Sequence, residues 1–173
     1  MEKYTVIVHK NKEYWTGILL KGKKLRKTSF LETDKNALIT YLTSKIDGIY
    51  DVEETHHNII AAINGIIDGT NFDLPTIDFD FSDYSTKEQR VLETLLKIPA
   101  GTTISYGNLA KKAGLPNAGR FIGNVMAKNS FAPLIPCHRV VLASGKIGNY
   151  SGKDGPKIKQ MLLEKEKKNK KSL

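Results

Sequence analysis

Residues Pro136-Cys137-His138-Arg139-Val140-Val141 hold the single cysteine of the chain, bonded directly to a histidine and followed by an arginine among apolar neighbours. These residue types describe an activated thiol: the thiolate is the nucleophile, and nearby charges set how readily it forms. A free cysteine is also commonly a small buried hydrophobe, so the reading depends on the company it keeps. With one cysteine there is neither a disulfide within the chain nor a cysteine-rich zinc site. His9, His56, His57 and His138 lack metal-ligand spacing, so no metal and no cofactor is expected.

The 173 residues, 40% hydrophobic and 26% charged, fit a soluble globular protein of one domain or two small ones. No apolar run reaches the length of a membrane span, and Met1-Glu2-Lys3-Tyr4 does not read as an export signal. The expected setting is therefore reducing: cytoplasmic, or nuclear in a eukaryote, and not secreted. Net charge is +9, unevenly placed: residues 1–80 carry 10 Lys/Arg against 12 Asp/Glu, whereas residues 81–173 carry 17 against 6. All the positive excess thus lies in the half that carries Cys137, an electrostatic footprint for a polyanion, most simply nucleic acid. A basic tail, with five lysines and one glutamate in Lys165–Lys171, accounts for only part of it.

The elements that must position this thiol fall into two regions. Tyr4–Val8, Tyr14–Leu20 and Leu25–Leu31 read as strands, the last two joined as a hairpin. Asp34 can cap a helix over about 35–44. A second helix is predicted over His56–Asp68 and a half-exposed strand over Ile77–Phe81. The expected division is an N-terminal supporting domain over 1–82, mixed α/β with an antiparallel sheet and helices, and a mostly helical domain over 83–173. In the second region Thr86 is expected to cap a helix over about 87–97. Helices over Ile104–Ala113 and about 118–128, separated by Gly114, form a helix-turn-helix pattern. Val140–Ala143 and Ile147–Ser151 read as a hairpin, and Lys157–Lys167 as a final helix that buries Ile158, Met161 and Leu162 before a frayed Lys168–Leu173.

The helix over 118–128 has an apolar face of Ala118, Phe121, Ile122 and Val125. Its other face sets small residues, Gly119, Gly123 and Ala127, around Arg120 and Asn124. Small side chains let a backbone approach a DNA groove, and an arginine there can hydrogen-bond or wedge. Close packing against another helix also favours small residues, and the charge asymmetry tips the balance towards DNA.

Taken together, Gln89 to Glu166 resembles the O6-alkylguanine-DNA alkyltransferases, also called methylated-DNA–protein-cysteine methyltransferases. The resemblance is carried by Pro136-Cys137-His138-Arg139-Val140 and by supporting blocks in the same order. These are Ser105-Tyr106-Gly107-Asn108-Leu109-Ala110, Ala118-Gly119-Arg120, Asn129, Gly148-Asn149-Tyr150-Ser151-Gly152, and Leu162-Leu163 with Glu166. The chain departs from the family at Ser85-Thr86-Lys87-Glu88, where a Thr-x-Phe-Gln-like run is usual.

The resemblance implies a role for each position. Cys137 is the alkyl acceptor, His138 deprotonates it through a water, and Glu166 orients His138. Tyr106 donates to the departing guanine, and Asn129 holds the turn before the active-site segment. Arg120 replaces the extruded base; Ala118, Gly119, Gly123, Asn124 and Ala127 meet the DNA. Val140, Tyr150, Ser151 and Gly152 line or close the base pocket. The implied partner is double-stranded DNA containing O6-alkylguanine, approached from the minor groove by a monomer, with no membrane involved.

A base alkylated at O6 must be rotated out of the duplex before its substituent can be reached. The resulting thioether has no second cysteine to resolve it, so each molecule acts once. The competing readings are a non-catalytic alkyltransferase-like protein that binds damaged DNA, a helix-turn-helix regulator and a cysteine hydrolase. The first commonly lacks the reactive cysteine, the second needs a recognition helix rich in polar base readers, and the third needs an oxyanion hole that the sequence does not place.

Overall fold

The computed structural model describes residues 2–150 and 154–170. The chain divides into two compact units that interleave in sequence. One comprises Met1–Gly65, Asp73–Asp83 and Ser130–Ala132, the other Ile66–Phe72, Tyr84–Asn129 and Pro133–Leu173.

In the first unit, β1 (Glu2–Asn11), β2 (Tyr14–Lys21), β3 (Lys24–Glu32) and β4 (Gly48–Glu54) form a sheet in the order β3-β2-β1-β4. The β1–β2 and β2–β3 pairs are antiparallel and β1–β4 is parallel, so the sheet is mixed rather than the antiparallel sheet expected. β4 escapes sequence reading because its Ile-Tyr-Asp-Val-Glu-Glu run sits largely exposed at an edge, where acidic side chains guard against further pairing.

Helix α1 (Lys35–Thr43) starts where expected: Asp34 accepts a hydrogen bond from the Ala37 N–H. Its Leu38 and Leu42 pack with Tyr4, Val6, Val8 and Leu19. Gly17 makes this possible, since a Cβ there would lie 2.9 Å from Leu42 and 3.0 Å from Leu38. Neighbouring side chains on a strand alternate in direction, so Thr16 faces the other way. Its hydroxyl donates to Asn64 Oδ1 at 2.7 Å and ties down α2 (Asn58–Asp68) on the opposite face.

Residues 77–81 form no strand. Only Phe79 bridges to Leu25, and Phe79 and Phe81 instead place their rings edge-on against Phe131. The alternating pattern was legible, but the segment pairs with edge strand β3 only around Leu25, whose N–H donates to Asp78 O and whose carbonyl accepts from the Asp80 N–H.

In the second unit, α3 (Thr86–Leu96) is capped by Ser85, one residue earlier than expected, through a capping box with Glu88. The element read as one helix from Ile104 begins as a short strand, β5 (Ile104–Ser105), and only then becomes α4 (Tyr106–Lys112). The strand forms because it pairs in parallel with β6 (Val140–Val141). Gly114, with φ +69°, supplies the left-handed turn after α4, and α5 (Gly119–Lys128) follows. A 3₁₀ turn, Cys137–Arg139, leads into β6. No hairpin follows β6 among the described residues; the Leu142 N–H donates to Lys146 O and the Gly145 N–H to Leu142 O, which closes a turn.

Helix α6 (Gly155–Lys170) runs further than expected. It buries Lys159, Leu162, Leu163 and Glu166, while Ile158 and Met161 stay partly exposed. The buried stripe is thus rotated from the purely apolar one, because two charged side chains are needed inside.

Candidate active site

The 3₁₀ turn places three consecutive side chains in one buried region. Cys137 is 6% exposed and His138 is fully buried. His138 Nε2 lies 2.8 Å from Glu166 Oε1, and Glu166, from α6, is 1% exposed. The carboxylate accepts further bonds from Arg139 Nε and Nη2 and from the Gly101 N–H. Burial alone pushes the Glu166 carboxyl up, but the bonds and charges of His138 and Arg139 outweigh it and hold it at about 2.

An ionised Glu166 only accepts hydrogen bonds, so Nε2 of His138 carries the hydrogen and Nδ1 keeps its lone pair. That Nδ1 is buried with no hydrogen-bond partner among the described residues. Burial lowers the His138 pKa, and the Arg139 and Lys159 charges add to this against the pull of Glu166. The imidazole is therefore neutral at neutral pH, a base awaiting a proton.

Cys137 is enclosed by the surrounding chain. Burial pushes its pKa up, and hydrogen bonds from Asn129 and Tyr150 together with the Lys159 charge offset this only in part. The resting group is a thiol, and nucleophilicity requires removal of its proton. Among the described residues, Tyr150 Oη is buried without a hydrogen-bond partner of ordinary geometry. A thiolate at Cys137 would draw it in as a donor, and burial and that charge both raise the phenol pKa. Tyr106, half-buried, is shifted upwards for the same two reasons.

Asn129 terminates α5, and its Nδ2 donates to Ile135 O at 2.9 Å, which spans the chain reversal that delivers Cys137. A cavity of about 210 Å³ is lined by Cys137, Tyr106, Asn149, Tyr150 and three residues of α5: Gly123, Met126 and Ala127. The structure thus brings the thiol together with the small-residue helix. Arg120 and Asn124 lie exposed on α5, and Ala118 precedes its first turn. A Cβ added at Gly107, Gly119 or Gly123 would meet nothing within 4 Å. The glycines are therefore not there to admit a neighbouring helix; they leave the surface open. Val140 is fully buried and is not among the cavity-lining residues; its carbonyl accepts from Lys159 Nζ at 2.6 Å. Ser151 and Gly152 lie outside the described residues.

Sequence reading missed Lys159. It is 1% exposed, donates also to Asn149 O at 3.2 Å, and lies close enough to Cys137 to favour its thiolate. The available signal was its place three and seven residues before Leu162 and Glu166 on one helix face. Lys159→Met is expected to raise the Cys137 pKa and slow thiol alkylation severalfold. It should also cost about 1–3 kcal/mol, because two carbonyls lose their donor. Iodoacetamide reactivity across pH and thermal unfolding measure the two effects.

The family model described as "6-O-methylguanine DNA methyltransferase, DNA binding domain" matches residues 86–168. The chain is 44% identical over 98 residues to the methylated-DNA–protein-cysteine methyltransferase of Mycobacterium bovis, covering 57% of this chain and 56% of that protein. To the human protein of the same name it is 43% identical over 93 residues, covering 53% and 44%. The chain thus spans about half the length of the curated relatives it matches. Among solved structures it is similar to Mycobacterium tuberculosis OGT in complex with DNA, with a TM-score of 0.74 and 27% identity over 95% of this chain and 94% of that one. It is also similar to the O6-methylguanine-DNA methyltransferase of Pyrococcus kodakaraensis, with a TM-score of 0.69 and 25% identity over 94% and 98%.

Proposed function

We propose that this chain, whose residues 86–168 match the model of the 6-O-methylguanine DNA methyltransferase DNA-binding domain, belongs to that family and repairs O6-alkylguanine in duplex DNA by moving the alkyl group irreversibly to Cys137. The observation that carries this reading is the buried line from Glu166 through His138 to the turn of Cys137, at a cavity whose other wall belongs to the open face of α5.

In this mechanism the Cys137 proton passes through a water to Nδ1 of His138, and the imidazolium so formed is stabilised by Glu166. The thiolate attacks the saturated carbon on O6. A sulfur–carbon bond forms, the carbon–O6 bond breaks, and its electron pair leaves with the guanine, which takes a proton from Tyr106. Asn129, Tyr150 and Lys159 favour the thiolate while it exists. The product thioether is stable, so turnover stops at one. Residues 83–173 act as the DNA-binding and acceptor domain, with the α5 face of Ala118, Gly119, Arg120, Gly123, Asn124 and Ala127 entering the minor groove. Residues 1–82 support it. The protein acts as a cytoplasmic monomer, or a nuclear one in a eukaryote. Among the described residues no helix is long and apolar enough to cross a membrane.

Intact mass spectrometry after incubation with an oligonucleotide carrying O6-methylguanine tests the reading. One methyl group per protein, mapped to the Cys137 peptide, supports it. An unmodified protein that still binds the oligonucleotide favours damage sensing without transfer. Arg120→Ala is expected to slow reaction with duplex substrate by roughly 10- to 100-fold, since unstacking a base costs a few kcal/mol. Reaction with free O6-benzylguanine should be nearly unchanged, and equal losses on both substrates would contradict a role in extrusion.

A further inference from the structure

We propose that Arg139 is a positioning residue for proton removal from Cys137: its guanidinium holds the Glu166 carboxylate ionised and oriented, and so keeps His138 neutral with Nδ1 as its basic nitrogen. The inference rests on the reading of Cys137 as an alkyl acceptor.

The geometry is that of a clamp. Arg139 Nε lies 3.0 Å from Oε1 and 3.2 Å from Oε2 of Glu166, and Nη2 lies 2.8 Å from Oε1. Nη1 is committed to the Ile98 carbonyl, which fixes the plane of the guanidinium. Glu166 Oε2 is held from another side by the Gly101 N–H at 2.9 Å. Oε1 therefore has one orientation, shared between Arg139 and His138 Nε2. Arg139 is 8% exposed, and filling this space would not require a charge: apolar side chains of similar volume often replace buried ion pairs at no cost in stability. A guanidinium is needed where a carboxylate must stay ionised, because its fork matches both oxygens at once.

The charges around His138 give the consequence for pH. Glu166 favours the imidazolium, Arg139 and Lys159 oppose it, and burial opposes it further; a Cys137 thiolate would be the adjacent negative group. Removing the Arg139 charge leaves one anion against one cation. The imidazole then protonates at higher pH and ceases to accept the thiol proton.

The test compares wild type, Arg139→Lys and Arg139→Met by the rate of Cys137 alkylation with iodoacetamide and with O6-benzylguanine, from about pH 5.5 to about pH 9. In Arg139→Met the acid limb is expected to move up by about one pH unit, so the rate falls more towards the acid end of the range than at about pH 8, by up to about tenfold. In Arg139→Lys the limb should stay near that of wild type, with a smaller uniform loss. A uniform loss in Arg139→Met with an unmoved acid limb would overturn the proposal, since a merely structural residue predicts that result. Where Arg139→Met does not fold, nitrogen NMR of His138 decides. Arg139→Gln, which keeps hydrogen-bond donors but not the charge, should show His138 protonating at higher pH than in wild type, and an unmoved His138 titration in Arg139→Gln overturns the proposal. A shifted limb with iodoacetamide but no reaction of wild type with O6-alkylguanine would remove the repair reading and leave the role of Arg139 standing.

Discussion

Cys137→Ser is expected to abolish alkyl transfer outright, with no adduct detectable by intact mass spectrometry, while binding to alkylated duplex DNA is retained. The proposed reaction is displacement at a saturated carbon, which demands a soft, easily formed anion. A serine hydroxyl in the same buried place is far harder to ionise, and His138 is a base suited to a thiol. No other cysteine can stand in. The open face of α5 lies outside the substitution, so the proposed DNA contacts should remain. The change is nearly isosteric, and a small buried group without charge gives little cause for unfolding. A variant that still accepts one alkyl group would move the acceptor away from Cys137 and remove the basis of the proposed function.

Glu166→Gln is expected to cost more in structure and nearly as much in rate. Its carboxylate serves His138, Arg139 and the Gly101 N–H together. The amide keeps the volume but loses the charge, leaving the Arg139 guanidinium buried without its anion; breaking such a pair costs about 3–5 kcal/mol. One face of the amide also presents donors to donors. His138 is then no longer held in the Nε2–H tautomer, and loss of an oriented base slows transfer by roughly 100- to 10,000-fold. The pH dependence has a definite sign. Glu166 is depressed in the folded protein from 4.5 to about 2, so its stabilisation is complete above the ordinary carboxylate range and is lost as pH falls through about 2. The variant should start less stable at neutral pH and lose less on acidification. Urea unfolding at about pH 7 and about pH 3 measures this, and parallel curves for the two proteins would sink the assignment.

Much of this site could be read along the chain because its parts are local. Cys137, His138 and Arg139 are consecutive, so a short motif names the thiol and its base. The same holds for α1 with its Asp34 cap and for α5 with its apolar stripe of Ile122 and Val125, since capping and helical periodicity act over a few residues. The uneven charge was likewise visible from counting.

What could not be read arises where distant segments meet. Lys159 belongs to a helix whose apolar pattern favours burying Ile158 and Met161; it goes inside because the Val140 and Asn149 carbonyls are there to receive it, and Glu166 on the same helix is reached through the family resemblance, not through the helix pattern. The strand at Ile104–Ser105 exists through its partner 36 residues on, and the polar edge strand Gly48–Glu54 through β1. Above all, the resting protonation of the thiol depends on packing that its motif does not carry. Neighbours in sequence name the thiol and its base, and enclosure raises the Cys137 pKa and lowers that of His138, so the proton rests on sulfur. Desolvation depends on everything packed around a group, which no stretch of sequence carries. The motif names the reacting atoms; the packing sets where their protons rest.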